Sequence, residues 1–152
     1  MGGADQEARA GRALSGQGKG ADGIVGVWRL AKTSATGDDG APMHPPYGAD
    51  PRGLLVFYAD GRMMSVLCDS RKALPPGESV REYMSYCGNY TWDGKTLVTR
   101  VDASAEPSRV GGEQTRFTHF EDGLLVLTQK PRPWQGKMQH RALVWERIAA
   151  AG

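Results

Sequence analysis

Short runs of apolar and β-branched residues, separated by polar turns, make up most of the pattern along this chain. Three of the breaks are Asp-Gly pairs, at Asp60-Gly61, Asp93-Gly94 and Asp122-Gly123. An Asp-Gly pair between two such runs is typical of a type I′ turn, in which both central residues have positive φ and the twist matches that of the flanking strands. The pattern therefore predicts three tight hairpins of antiparallel strands.

Eight strands follow from the runs beside these turns and from the apolar stretches that begin and end the patterned region. The predicted strands span residues 24–35, 53–58, 62–68, 88–92, 96–102, 113–120, 124–129 and 138–148. Pro107, Pro131 and Pro133 lie between strands, as expected of a residue that cannot donate to a sheet ladder.

One segment has a helical period instead. After Pro75-Pro76, apolar side chains fall at i, i+3, i+4 and i+7, at Val80, Tyr83, Met84 and Cys87. Ser79 and Glu82 have the spacing of a capping box. The sequence therefore predicts one short helix over residues 79–86, between the third and fourth strands.

Closure of the sheet is the next expectation. An open meander would leave two strand edges free to pair with other chains, and eight strands are enough to form a barrel that holds one small ligand. A two-sheet sandwich is the alternative, but it usually has longer crossover loops than these two-residue turns. The predicted fold is all-β: an antiparallel up-and-down β-barrel of eight strands, or eight to ten, with one short helix.

The chain of 152 residues is the size of one domain with a core of its own. Residues 1–22 contain six Gly and a single Leu, too little apolar surface to offset the entropy of ordering. We expect residues 1–22 to form a disordered tail and residues 23–149 to form the barrel domain. The tail lacks the basic and apolar regions of a secretory signal, and no run is long enough to span a membrane.

Charge and cysteine content argue against nucleic-acid binding, zinc binding and a disulfide. The net charge is +2, the basic residues are scattered, and neither nucleic-acid-binding aromatic motifs nor Cys/His finger spacings occur, so nucleic acid is not an expected partner. Cys68 and Cys87 have no zinc spacing and fit buried free thiols better than a disulfide. A reducing compartment, the cytoplasm, is therefore expected.

The first strand carries Gly26-Val27-Trp28 and the last carries Arg147, within the sequences GVWRL and LVWERI. This arrangement resembles the Gly-x-Trp signature of the lipocalin superfamily. More narrowly, the blocks HPPYGADPRGLLVFYADGRMM, YMSYCGNY and VGGEQTRF resemble the bacterial lipocalin-like domain family, and together the blocks cover most of residues 24–148. The resemblance implies a calyx whose floor is closed by Trp28, with Arg147 lying across the indole ring in a cation–π contact.

Candidate site residues follow partly from this resemblance, because both faces of several strands are mixed and alternation alone does not decide which face points inward. Gln114 and Arg116 resemble a recurrent polar pair on the inner face of the family. The catalytic candidates are Arg116, Gln114 and Tyr58, and the ligand-binding candidates are Arg100, Tyr90, Tyr47, Met64 and His140. Arginines suit an oxyanion, tyrosines offer an apolar body with a polar tip, and methionine adapts to irregular ligands.

Two functions are compatible with these residues. Similar small barrels in bacterial natural-product pathways act as cofactor-free cyclases or isomerases, which implies a largely apolar, oxygenated, polyketide-like substrate. The alternative is a non-catalytic carrier of a small hydrophobic ligand, and a filled barrel without a cavity is a third reading. No cofactor is expected, and no metal either, because His44, His119 and His140 lie far apart in sequence. A homodimer is compatible with the sequence, which does not determine the oligomeric state.

Overall fold

The computed structural model describes residues 23–151, and the predictions made for residues 1–22 lie outside this range. The described residues form nine strands and one 3₁₀ turn at Pro107–Arg109. The strands are β1 (Gly26–Thr36), β2 (Pro51–Phe57), β3 (Arg62–Asp69), β4 (Tyr83–Trp92), β5 (Thr96–Ser104), β6 (Glu113–Glu121), β7 (Leu124–Thr128), β8 (Arg132–Trp134) and β9 (Lys137–Ala149).

The strands close into an antiparallel barrel. Each strand from β1 to β7 pairs with the next, β7 pairs with β9, and β9 returns to pair with β1. The first and last strands run side by side from Val27↔Ala149 to Thr36↔His140, with Trp28 opposite Arg147. Among the described strands, β8 pairs with β9 alone, along Lys137–Gln139, which precede the part of β9 that pairs with β1 and β7. The predicted eight-stranded closed barrel is confirmed, with β8 as an additional strand.

The two ends of the barrel differ in the length of their connections. At one end the three Asp-Gly hairpins join β2 to β3, β4 to β5 and β6 to β7 in a few residues each. At the other end the connections 37–50, 70–82 and 105–112 are long. The hairpin end is therefore compact, while the long-connection end has enough chain to surround an opening.

Trp28 and Arg147 close the hairpin end. The buried Trp28 ring donates through Nε1 to the Ile24 carbonyl oxygen at 2.8 Å. The Arg147 guanidinium lies 4.5 Å from the centroid of the Trp28 ring, and its Nη2 donates to the Gly23 carbonyl oxygen. Gly26 has φ of 146°, and a Cβ there would come within 3.3 Å of Arg147 Nε. The Gly-x-Trp pattern and the distant arginine thus form one structural unit, as the resemblance implied.

Burial identifies the inner face. Leu55 and Phe57 of β2 and Leu97 of β5 point inward and are buried, whereas Leu54 points outward and is exposed. On β6 the inward set includes Gln114, which is buried although polar. Mainly apolar inner positions thus fill the hairpin end, with Thr118 as a buried polar exception, and Gln114 lies toward the long-connection end.

The helix predicted over residues 79–86 is not formed. Residues 79–82 adopt no regular structure, and β4 begins at Tyr83 and pairs with β3 from Cys68↔Tyr83 onward. Val80, which was to lie on the buried helical stripe, is 78% exposed. The backbone hydrogen bonds and buried contacts offered by the edge of β3 outweigh a local helical preference that is worth only tenths of a kcal/mol per residue.

The three Asp-Gly turns exist, but only one matches the predicted backbone. Asp122 and Gly123 both have positive φ, of 52° and 78°, as a type I′ turn requires. At Asp60-Gly61 and Asp93-Gly94 only the glycine has positive φ. In the second of these, Asp93 Oδ1 accepts hydrogen bonds from the backbone N–H groups of Lys95 and Thr96 instead.

Candidate functional site

A cavity of about 330 Å³ lies at the long-connection end of the barrel. This is a volume that takes a small organic molecule. Its walls come from the inner faces of the strands, and its mouth comes from the connections 37–50, 70–82 and 105–112.

The inner wall of the cavity is largely apolar. Side chains from four strands form it, namely Leu55, Leu67, Leu127, Leu143 and Trp145. The buried ring of Trp145 carries an Nε1–H group that has no hydrogen-bond partner among the described residues. A molecule in this part of the barrel would be in contact mainly with hydrocarbon, which favours an apolar body.

The mouth of the cavity is cationic. Five arginines line the cavity against two carboxylates; they are Arg81, Arg109, Arg116, Arg132 and Arg141, with Glu82 and Glu106. Excess positive charge around a partly dry opening favours an electronegative group on the ligand.

Three of these arginines are in ion pairs, the first of them Arg81, whose Nη1 lies 3.8 Å from Asp69 Oδ1. Arg109 Nε donates to Glu106 Oε2 at 2.8 Å, and its Nη1 donates to Gln114 Oε1 at 2.6 Å. Arg141 Nη2 lies 3.4 Å from Glu82 Oε2. The Arg109 guanidinium lowers the pKa of the Glu106 carboxyl, so Glu106 stays ionised and is a weak base.

Arg116 and Arg132 differ from the other lining arginines in their lack of a carboxylate partner within the described residues. Among residues 23–151, neither guanidinium has a carboxylate oxygen within 4.0 Å. Arg116 Nη1 donates to the backbone oxygen of its neighbour Thr115 at 2.8 Å, and Arg132 Nε is buried without a hydrogen-bond partner in the described range. Burial lowers the pKa of both arginines. Repulsion from Arg109 and Arg132 adds to the shift in the pKa of Arg116, and repulsion from Arg141 and Arg109 adds to that of Arg132. Their side chains therefore present unneutralised N–H donors at the cavity.

Two tyrosines add neutral donors. Burial raises the pKa values of Tyr47 and Tyr86, so both remain protonated phenols near neutral pH. Gln114 lies near the Tyr86 hydroxyl and accepts a hydrogen bond from Arg109 Nη1 at 2.6 Å. Tyr47 has a left-handed backbone with φ of 64°, and its N–H donates to Glu82 Oε1 at 3.1 Å. Such a conformation is costly for a residue with a side chain, so the surrounding contacts must hold it in place.

Comparison with known proteins agrees with this geometry. A family model described as a lipocalin-like domain matches residues 25–148. The chain belongs to the lipocalin-like domain family. Neither the curated proteins nor the solved structures with which the chain was compared gave a significant match. The fold and the presence of a ligand cavity in this lipocalin-like domain therefore agree with its family, while the chemistry of the site has to be argued from its own residues.

The lipocalin-like domain brings together three of the predicted site residues. Arg116, Gln114 and Tyr47 all line the cavity, although they come from β6 and from the connection before β2. Gln114 and Arg116 lie on the inner face because they alternate with the outward Glu113 and Thr115.

The other predicted site residues lie elsewhere. Tyr58 is 43% exposed at the hairpin end, and its backbone oxygen accepts a 2.7 Å hydrogen bond from the Tyr90 hydroxyl. The Tyr90 ring packs edge-on against Phe57, with centroids 5.0 Å apart. These tyrosines therefore brace the closed end, opposite the cavity.

Strand alternation turns two more candidates outward. Met64 is 51% exposed, because the inner positions of β3 are occupied by Met63 and Ser65. Arg100 is exposed on β5, where its neighbours Thr99 and Val101 point inward. His140 lies on the rim, where its Nε2 is 2.7 Å from Asp38 Oδ1, and it is not among the lining residues of the cavity.

Sequence reasoning missed several lining residues. Arg109 and Arg132 lie at or beside the connections of the long-connection end, where no strand alternation identifies them. For these two the available signal was the loop-length asymmetry, since basic residues that flank the long connections must gather around one mouth. Arg141 lies in β9 and shares the inner face with Leu143 and Trp145, so alternation along the last strand was the signal for it. Tyr86 falls in the segment 79–86 for which the sequence predicts a helix, so its inward position on β4 was not foreseen.

The remaining polar groups give no metal centre. Within residues 23–151, His, Cys, Asp and Glu side chains form no group of three or more that could hold an ion. The same range contains no helix with the length and apolar character needed to cross a bilayer. Both cysteines are free thiols.

Proposed function

We propose that this lipocalin-like domain binds a small, largely apolar molecule that carries at least one oxygen function. The observation that carries the proposal is the polarity gradient of the 330 Å³ cavity, from the leucines and Trp145 inside to the arginines at the mouth. The apolar body would be buried against the leucines, and the oxygen function would lie toward the mouth. Burial of hydrocarbon supplies affinity and the polar donors supply orientation.

A neutral fluorescent probe tests this proposal without regard to charge. N-phenyl-1-naphthylamine should bind in the cavity and gain emission, and Leu67→Trp, which fills the cavity wall, should weaken binding at least about tenfold. Val66→Trp is the matched control, because Val66 is the neighbouring residue on β3 and its side chain is exposed on the outside.

Both variants should be checked for folding by circular dichroism before titration. A wild-type protein that does not bind the probe would contradict the proposal, as would a Leu67→Trp protein that is folded and binds as well as the wild type.

A second function, cofactor-independent cyclisation or isomerisation of a polyketide-like substrate, is favoured by Arg116. This guanidinium has no carboxylate partner in the described range and lines the cavity, where it would stabilise the oxyanion of an enolate. The cavity walls would hold the chain folded for an intramolecular reaction. Binding ranks first, because both lining carboxylates contact arginines and neither is a free general base.

The cyclase proposal makes a separate prediction. A linear 3,5-diketo ester cyclises slowly by itself, and the wild-type protein should accelerate this reaction. Arg116→Met should lower kcat by about 10²-fold, because it removes an oxyanion donor. Arg52→Met is the matched control, since Arg52 is an exposed arginine on the outer wall.

The rate would be followed by ultraviolet absorbance of the cyclic product, with KM measured alongside. Equal rates with and without protein would leave the carrier function. A rise in KM with kcat unchanged would assign Arg116 to binding.

For the location of the protein, we propose the cytoplasm, because Cys68 and Cys87 are both free thiols.

A further inference from the structure

We propose that the ligand's oxygen function is a carboxylate, or an equally planar enolate anion, bound between Arg116 and Arg132 at a gap in the barrel wall. This inference rests on the proposed binding function and narrows it to one class of ligand, an amphipathic organic anion. It also assigns the anion-binding site to the side of the barrel, where β6 loses its second partner.

The gap arises because β7 is shorter than β6. Strand β6 pairs with β7 only from Phe117↔Thr128 to Glu121↔Leu124, so residues 113–116 pair with β5 alone. The chain after Thr128 runs into Pro131, and β8 then pairs with β9 instead of with β6. One stretch of the inner wall is thus left without a sheet neighbour.

At this gap, only a layer of side chains separates the cavity from the surface. Arg116, Gln129 and Arg132 line the interior cavity and also line a surface hollow that includes Lys130 and Phe117. Residues common to the two spaces must form the boundary between them. The guanidinium groups of Arg116 and Arg132 are therefore available to a molecule that lies inside and ends at the gap.

The charge balance at the gap is positive. Arg116, Lys130 and Arg132 flank it, and Glu113 is the one carboxylate among the described residues of the surface hollow. Glu113 forms no ion pair within 4.0 Å among residues 23–151 and points outward from β6. Inside the cavity, Glu82 and Glu106 contact Arg141 and Arg109. No described carboxylate is thus in contact with the two arginines of the gap.

The contrast with the neighbouring arginines indicates that this is a site and not a general excess of charge. Arg109 is neutralised by Glu106 at 2.8 Å, and Arg141 by Glu82 at 3.4 Å. Arg132 has a buried Nε without a partner in the described range. Placing partly buried cations side by side without counter-charges is unfavourable, and an anion would offset that cost. A planar carboxylate fits the fork of donors on a guanidinium.

The test compares two ligands that differ in charge and hardly in shape. Sodium 2-naphthoate and 2-naphthamide would each be titrated into the full-length protein by isothermal calorimetry. The naphthoate should bind at least tenfold more tightly. Arg116→Gln and Arg132→Gln should each reduce this preference toward unity while binding of N-phenyl-1-naphthylamine is retained. Arg52→Gln, at an exposed arginine outside the cavity, should keep the full preference.

A second measurement covers variants that fail to fold. In the wild-type protein, raising sodium chloride from 50 to 500 mM should weaken naphthoate binding and leave naphthamide binding nearly unchanged. Equal affinity for the two ligands, or a preference that survives in both folded gap variants or is insensitive to salt, overturns the inference. If the neutral probe still binds in that case, the proposed binding function stands. Binding of neither naphthalene ligand overturns the inference, and failure of the neutral probe as well overturns the proposed function.

Discussion

Arg147 and Trp28 show how a pair of side chains, far apart in sequence, can close one end of a barrel. The guanidinium lies 4.5 Å from the ring centroid and bonds to the Gly23 carbonyl, while Gly26 leaves room for it to pass. This pair was foreseeable through the resemblance of Gly26-Val27-Trp28 and Arg147 to the lipocalin signature. Arg132 was not foreseeable, since its role depends on where a short strand leaves the barrel.

Replacing Arg147 by Leu should destabilise the protein by about 1–3 kcal/mol, because it removes both the cation–π contact and the hydrogen bond to Gly23. Urea unfolding followed by tryptophan fluorescence measures the change. Arg29→Leu on β1 is the control. The Arg29–Glu146 pair is exposed, so its loss should cost less than about 1 kcal/mol. Equal losses of unfolding free energy in the two variants would show that the Arg147–Trp28 contact stabilises the protein no more than an exposed ion pair does.

At the scale of elements, pairing with a neighbour overrode local preference. Residues 79–86 have a helical apolar stripe, yet β4 begins at Tyr83 along the edge of β3. The meander and its hairpins were predictable, because Asp-Gly pairs and alternation are local signals. The end of β7 was predicted to within one residue, but the pairing of the next segment, β8, with β9 and not with β6 was not, because no local signal sets it.

Gly88 in β4 provides an element-scale prediction. A register shift lies between Cys87 and Gly88, and a Cβ at Gly88 would overlap the backbone carbonyl of Arg100 on β5. Gly88→Ala should therefore destabilise the barrel by on the order of 3 kcal/mol, because backbone on both sides must shift.

The control for this prediction is Gly112→Ala in the exposed connection before β6, where the nearest atom to an added Cβ is 3.3 Å away. Gly112→Ala should change the free energy of unfolding, measured by urea unfolding, by less than about 1 kcal/mol. If Gly88→Ala unfolds at the same urea concentration as the control, the close approach of β4 and β5 is not a constraint in solution.

Over the whole molecule, loop length separates structural and ligand-binding regions. The hairpin end has tight turns and an aromatic floor, while the long connections surround the cavity. One of these connections, 70–82, is tied to the barrel by the buried Asp69, which accepts hydrogen bonds from Arg71 Nε at 2.9 Å and Nη2 at 2.6 Å. Arg71 Nη2 also contacts Glu78 Oε2 at 2.6 Å. The loop-length pattern was visible in the sequence, but this network was not.

Acid should loosen the cavity end first. The hydrogen bonds from Arg71 lower the pKa of Asp69 below its usual 3.8. A carboxyl whose pKa is lower in the folded state stabilises the protein above its unfolded pKa, and this contribution disappears as the pH falls through the folded pKa. Asp69→Asn should therefore destabilise the protein at pH 7, and the difference from wild type should shrink below about pH 4.

Urea unfolding at several pH values would measure this difference. Asp50→Asn is the control, because Asp50 is exposed and its one ion pair within residues 23–151 is with the exposed Arg52, at 3.4 Å. A difference between Asp69→Asn and wild type that stayed constant from pH 7 to pH 3 would show that the carboxylate charge has no part in holding the connection.

The early end of β7 also affects how a guest would enter and leave. In a barrel open only at its top, exchange waits for the loops over the mouth to part. Here the proposed anion-binding site lies in the side wall beside Thr128, where Arg116 and Arg132 separate the cavity from a surface hollow. A bound molecule that left through this wall would first have to break its contacts with those charges. Its residence time would then vary with the ionic strength of the medium, and a substituent too bulky for the interior could remain outside while the rest of the molecule stayed bound.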